Sequence, residues 1–413
     1  MSIFVDIFPI HAIFVTNDDK ETRIPDRTAI VSYKGIPAGE LSELGADTRF
    51  VYNEGWTETI ACALPATQRD HYYRNGLIPF FEHLGPEGWL RGRQARAGGT
   101  AAQDDFGLLL NYGADCIGAV GILESDGSRL IAPAEPNVIE EAAALPGRTL
   151  SGVQKKLLAF RSDKGFEPCI KISDPATHIA KFNRDDLPTL VQNENLSLEL
   201  GREILGEAEI TKAKPAVLVG IEGLALLVER FDRAGDEKLR LEDFAQILGK
   251  PRGREFDGKY HSSYEEASTV ITRFSARARI DLARYFRLVV FNLVLGNADA
   301  HLKNFSLLET PEGLRLSPAY DLINTLAYPD YERTAALEIG DAKRAFDTLD
   351  RALVEALGTA IGLPAPEIKR SLDTLAKGFA GSKTLEFSAR VQPDDFRIRY
   401  RDIIRENAGR IFA

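Results

Sequence analysis

Residues 288–321 read LVVFNLVLGNADAHLKNFSLLETPEGLRLSPAYD, and the character of the chain changes twice within them. Leu288 to Leu295 is a nearly unbroken apolar run, long enough to belong to a buried helix. Gly296 ends the run. Asn297, Asp299, His301, Lys303 and Asn304 follow in quick succession, and Phe305 to Leu308 is apolar again. A short strand, Leu314 to Leu316, and the turn Ser317-Pro318 then lead to Asp321. A dense polar loop held between a buried helix and a buried strand is costly to desolvate. The pattern therefore points to chemistry in the loop, with Asp299 and Asn304 presented together and a second carboxylate, Asp321, in the next loop.

Asp-x4-Asn followed by a further Asp is the arrangement that phosphoryl transfer uses in protein kinases. The first Asp accepts the proton of the acceptor hydroxyl, and the Asn and the later Asp hold Mg2+. Oxygen ligands suit a hard cation that keeps waters and substrate phosphates as its other ligands. A helix-capping loop with surface Asp and Asn is the plain alternative for this spacing alone. His301 is read as orienting Asp299 or the loop backbone, and Lys303 as neutralising charge that develops on the phosphoryl group.

Phosphoryl transfer also needs a cation on the phosphates and a covering loop. Lys181, on the apolar strand His178 to Phe182, is the candidate cation, because a buried ammonium needs an anion to meet it. Glu194 is its first candidate ion-pair partner and Glu199 the second. Ser151, Gly152, Val153 and Gln154, with Lys155 nearby, form a candidate phosphate-covering turn whose backbone N–H groups can cradle an anion. In the segment Val228 to Asp232 an adenine would meet the backbone at Glu229 and Phe231.

The composition narrows the field. The chain has 413 residues, 44 % of them hydrophobic, enough for two or three domains each with its own core. A net charge of −10 argues against a dominant nucleic-acid-binding role, which needs a basic face. Cys62, Cys116 and Cys169 are far apart and lack metal-ligand spacing, so they read as reduced core residues of a cytoplasmic protein. The apolar opening MSIFVDIFPIHAIFV contains Asp6, lacks a basic start and is too short to span a bilayer. No later segment is long enough and free enough of charge for a membrane helix.

The pattern divides the chain into an unassigned extension over 1–28, an N-terminal domain over 29–145, a β-rich lobe over 146–235 and an α-helical lobe over 236–413. Helices are expected at 77–84, 193–205, 242–248, 280–295 and 396–411, with a short acidic one at 140–144, and 106–112 reads as a helix or an apolar stretch. Strands are expected at 48–53, 119–124, 157–160, 169–172 and 178–182. Prolines and glycines around 133–147 mark the first boundary. The polar, glycine-containing stretch 252–263 reads as a mobile loop.

The motifs RTLSGVQKKL, THIAKF, NENLSLEL, LLVERFDR, EDFAQILG, LGNADAHLKNFSLL and LSPAYDL occur in this order. Together they resemble the HipA-like toxin kinases of bacterial toxin–antitoxin modules, densely from Arg148 to about Leu326. GIPAGELSEL, FVYNEGW and DCIGAVGIL are similar to that family's N-terminal domain. The resemblance implies an α+β, two-lobed protein-kinase-like fold with an additional N-terminal α/β domain. It implies an ATP- and Mg2+-dependent serine/threonine kinase in which Lys181 contacts phosphates, Asp299 is the base, and Asn304 and Asp321 bind the metal. It implies autophosphorylation just before the covering loop, where the family has serine and this chain has Thr149, with Ser151 adjacent. It further implies a protein substrate such as an aminoacyl-tRNA synthetase, and a small helix-turn-helix HipB-like antitoxin that carries the DNA contacts. A regulatory module without strong kinase activity and a small-molecule kinase of related fold are the alternatives.

Overall fold

The computed structural model describes residues 26–124, 154–253, 255–386 and 394–413, together with Ile139 and Ala144. Its N-terminal domain begins with β1 (Arg27–Tyr33), β2 (Ile36–Leu44), β3 (Asp47–Tyr52) and β4 (Asp70–Tyr73). The short helix α1 (Pro79–Glu82), then α2 (Gly88–Ala97) and α3 (Asp105–Tyr112), precede β5 (Val120–Glu124). The five strands form one sheet in the order β4-β3-β2-β1-β5, antiparallel throughout. Alternation along β3 buries Thr48, Phe50 and Tyr52, and Phe50 packs edge-on against Phe81 of α1. The helix expected over 77–84 is only the Pro79–Glu82 turn: Pro79 starts it, and Gly85-Pro86 stop it.

The β-rich lobe holds β6 (Lys156–Ser162), β7 (Gly165–Pro168), β8 (His178–Phe182), α4 (Leu190–Leu205), β9 (Ala213–Val217) and β10 (Leu224–Glu229), with strand order β7-β6-β8-β10-β9. Ala180 and Phe182 pack with Leu157, Leu227 and Phe166 in a core on one face, so the period of two turns Ile179 and Lys181 to the other face. The strand expected over 169–172 is displaced to Gly165–Pro168. Asp174 explains the difference, since its carboxylate accepts from the Ile170 and Lys171 amides and folds that stretch into a turn.

A two-stranded ribbon, β11 (Arg233–Ala234) with β12 (Glu237–Lys238), leads to β13 (Leu241–Asp243) and α5 (Phe244–Ile247). The expected 242–248 helix is split there, because Leu241 and Glu242 pair with Leu308 and Leu307 while Asp243 and Gln246 close a capping box. Then come α6 (Tyr264–Phe274), α7 (Ala278–Leu295), β14 (Ser306–Thr310), β15 (Gly313–Leu316), α8 (Arg351–Ala360), α9 (Ala365–Ala380) and α10 (Asp395–Ile411). Every residue from Leu288 to Leu295 is buried, so the C-terminal half of α7 runs through the lobe's core with no polar face. The fold is α+β, two-lobed and kinase-like. The expected helix at 140–144 lies outside the described residues apart from Ala144. Among the described residues no helix is long and apolar enough to cross a membrane. Cys116 and Cys169 are buried and Cys62 partly buried.

Candidate active site

Gly296 adopts a left-handed conformation, φ 81°, and caps α7 through bonds from its amide to Asn292 and Leu293 carbonyls. A Cβ there would meet Asn324 and Leu326 at 3.1 Å, so only glycine fits comfortably. The loop that follows is then fixed by side chains. Asn297 Oδ1 accepts from the Asp299 amide at 3.1 Å, and Thr325 Oγ1 accepts from the Ala298 amide at 2.8 Å. The Tyr320 hydroxyl donates to the Lys303 carbonyl at 2.8 Å. Asn193 of α4 and Asn324 exchange two hydrogen bonds, Nδ2 to O at 2.9 Å and N to Oδ1 at 2.8 Å, which couples α4 to the Asp321 loop.

These elements enclose a cavity of about 370 Å3. Lys181, Asp299, His301, Lys303, Asn304, Asp321, Gln154, Glu229 and Phe231 all line it. Thr149, Ser151, Gly152 and Val153 lie outside the described residues. Lys155 is not brought to the cavity: its ammonium lies over the Phe182 ring, 4.7 Å from the centroid. Lys156 lines the cavity instead, directly opposite Lys181 in the β6–β8 register.

Lys181 Nζ donates to Glu194 Oε1 at 2.5 Å and to Asp321 Oδ1. Glu199 is exposed and bonded to Asn195, so Glu194 is the partner and the Glu199 alternative falls. Burial opposes charge on Lys181, but Asp321 and Glu194 outweigh it and hold the ammonium above its ordinary value. Asp321 is likewise pulled well below the carboxylate range by Lys181 and Lys156, against burial. Burial raises Glu194, against the pull of Lys181. Burial also lowers the Lys156 ammonium. Asp321 has φ 54°, a left-handed backbone that costs an ordinary residue energy and that Asp tolerates better than most.

Asp299 Oδ1 accepts from the Tyr260 hydroxyl at 2.5 Å, and His301 Nε2 stands 4.0 Å from the same oxygen. Sequence reading missed Tyr260. Its segment, 252–263, was expected to be a mobile loop, but its described residues put a single turn, Gly258–Tyr260, against the site, with Lys259 buried. Burial raises the Asp299 carboxyl above its usual value; the Tyr260 bond and Lys259 pull the other way. His301 is pushed well below its usual value by burial and is neutral at pH 7. It is therefore a packing neighbour of Asp299, at ring contact with Tyr260.

The donors fit a hard divalent cation. Among the described residues Asn304 Oδ1 is buried without a hydrogen-bond partner, while Asn304 Nδ2 points at the Asp321 carbonyl, 3.5 Å away. A buried acceptor left unpaired calls for a ligand. Among the described residues no group of three or more His, Cys, Asp or Glu is placed to cage a metal. Asn304 and Asp321 supply two oxygen donors, and Mg2+ is held by one or two protein oxygens plus phosphates and waters. The 228–232 linker also lies on the cavity. Its Glu229 and Arg230 amides donate to the Lys212 and Thr177 carbonyls, and the Phe231 ring leans on Tyr320 at 5.8 Å.

A β-rich lobe carrying a buried Lys–Glu pair, and a helical lobe presenting Asp, Asn and a second Asp across one cleft, define the protein-kinase-like class. The comparisons narrow this. The HipA-like C-terminal domain model matches residues 148–382 and the HipA N-terminal domain model matches 29–123. The chain belongs to the HipA-like family. A provisionally named kinase of Sinorhizobium fredii is 29 % identical over 388 residues, 86 % of this chain and 90 % of that protein. The serine/threonine-protein kinase toxin HipA of Shewanella oneidensis is 28 % identical over 337 residues, 73 % of this chain and 76 % of that one. The fold matches that of a Shewanella oneidensis HipA solved in complex with HipB and operator DNA. The TM-score is 0.67 at 21 % identity, covering 92 % of this chain and 96 % of that one.

Proposed function

We propose that this chain is an ATP- and Mg2+-dependent serine/threonine protein kinase that acts as the toxin of a toxin–antitoxin module. The observation that carries the reading is the convergence of Lys181, Asp299, Asn304 and Asp321 on one cavity, with Asn304 Oδ1 left unpaired. Asn304 and Asp321 would hold Mg2+, which would neutralise phosphate charge. Lys181, fixed from behind by Glu194, presents its ammonium to the phosphates. Asp299 takes the proton of the acceptor hydroxyl. Tyr260 and His301 both face its Oδ1, so Oδ2 is the oxygen offered to the acceptor. Lys303 neutralises charge that develops on the transferred group. Glu229 and Phe231 meet the adenine through main-chain groups other than the Glu229 amide, which Lys212 already uses.

The target is a translation component such as an aminoacyl-tRNA synthetase, and autophosphorylation at Thr149 or Ser151 limits the activity. A HipB-like antitoxin carries the DNA contacts, in keeping with the net charge of −10. Expression of the chain alone should arrest growth, and the Asp321→Ala variant should not. Equal arrest by both would overturn the toxin-kinase reading.

A further inference from the structure

We propose that His83 and Glu87, both from the N-terminal domain, are positioning residues of the phosphoryl-transfer site that act through Lys303. The inference rests on the kinase reading and goes beyond it, because it makes the two lobes incomplete without the third domain.

His83 and Glu87 line the same cavity as Asp299 and Asp321. Lys303 Nζ lies 3.2 Å from His83 Nδ1, 3.6 Å from Glu87 Oε1 and 3.1 Å from Asp243 Oδ2. The His83 carbonyl is a further acceptor for it at 3.4 Å. The hydrogen-bond partner of the other ring nitrogen fixes the tautomer. His83 Nε2 sits 2.8 Å from the Lys250 carbonyl, which can only accept, so Nε2 carries the proton and Nδ1 is the acceptor for Lys303. Burial, helped by Lys303, brings the imidazole down to about 4, so this neutral form persists at pH 7. Asp243 and Glu87 in turn keep the Lys303 ammonium charged against burial.

The wall is rigid where these residues stand. Gln246 Nε2 donates to the Phe80 carbonyl at 3.0 Å, and the Arg252 amide donates to Glu82 Oε2 at 2.7 Å. A lysine side chain has many rotamers, and ordering one before the reaction removes that cost from the chemical step. The N-terminal domain supplies that ordering. Glu87 is 3 % exposed and His83 4 %, which is deeper than a surface bridge between domains requires.

The test uses the full chain. Glu87→Gln and His83→Gln should each lower kcat by about tenfold or more, the scale of losing a partner that orients a reactive group. The KM for ATP should stay within about twofold, the signature of an interaction made in the transition state. His83→Asn, which keeps an acceptor near the Nδ1 position, should retain more activity than His83→Gln. Glu87→Gln should have no added effect in a Lys303→Met background, since residues acting through one group are not additive. Wild-type kcat in Glu87→Gln and His83→Gln, or full additivity with Lys303→Met, would overturn the inference while leaving the kinase reading intact. Absence of transfer by the wild-type chain would overturn both.

Discussion

Of the lysines that line the cleft, two are each held between two carboxylates. Lys181 sits between Glu194 and Asp321, and Lys303 between Asp243 and Glu87. The Lys181 cluster is built inside the two lobes, with a contact of 2.5 Å to Glu194. The Lys303 cluster is looser, at 3.1 and 3.6 Å, contains a neutral histidine, and draws Glu87 and His83 from another domain. The difference teaches a division of labour. The tight pair fixes a buried cation between the lobes, the one that the proposed function assigns to the phosphates. The looser one sets a cation whose aim depends on how the N-terminal domain is seated.

The largest effect should come from breaking the tight cluster. Lys181→Ala should lower phosphoryl transfer by about 10²–10³-fold, the scale of losing one preorganised charge in a site. It should also cost about 3–5 kcal/mol of stability, because Glu194 and Asp321 lose their cation. Transfer assays and denaturant titration check both. An unfolded Lys181→Ala chain would make Lys181 structural, and unchanged transfer would remove it from the site.

The looser cluster should respond to acid. The unfolded chain protonates His83 near its ordinary value of 6.5, whereas the folded chain resists until about 4. The unfolded state therefore binds more protons in this window, and stability falls as pH drops from 6.5 towards 4, by up to about 3 kcal/mol from this residue. Denaturant titrations across that range should show the decline, and His83→Asn should flatten it. The Lys181 cluster works in the same sense at lower pH: Asp321 stays ionised in the folded chain well below the usual carboxylate range, so below the ordinary carboxylate value the unfolded chain again binds more protons and stability falls further.

The smallest effect should be at Tyr260. Its hydroxyl helps hold the Asp299 carboxyl down. Tyr260→Phe should move the acid limb of the pH–rate profile to higher pH and lower kcat only a few-fold, about the worth of one hydrogen bond. An unmoved acid limb would show that Tyr260 does not tune Asp299.

The site was legible where its groups are close along the chain. Asp299, Asn304 and Asp321 stand out because polar residues interrupt apolar segments, and Lys181 because it interrupts an apolar strand. The rest depended on folding across distance. Tyr260 is 39 residues from Asp299 in a stretch whose polarity resembles any surface loop. Lys155 and Lys156 are neighbours, and only the side on which the strand alternates decides which one enters the cleft. Glu194 and Glu199 share a helix, and its buried face chose between them. His83 is 220 residues from Lys303 and belongs to another domain, so no local pattern could pair them. Among the secondary elements, Asp174 and Asp243 moved boundaries by side-chain bonds to backbone that hydrophobic periodicity does not register.

The central claim is that Asp299, Asn304 and Asp321 serve one phosphoryl-transfer reaction. Incubation of the purified chain with γ-labelled ATP and Mg2+ tests it directly. The wild type should label itself at Thr149 or Ser151, and Asp299→Asn should remain at background. Labelling of the wild type no higher than that of Asp299→Asn would contradict the account.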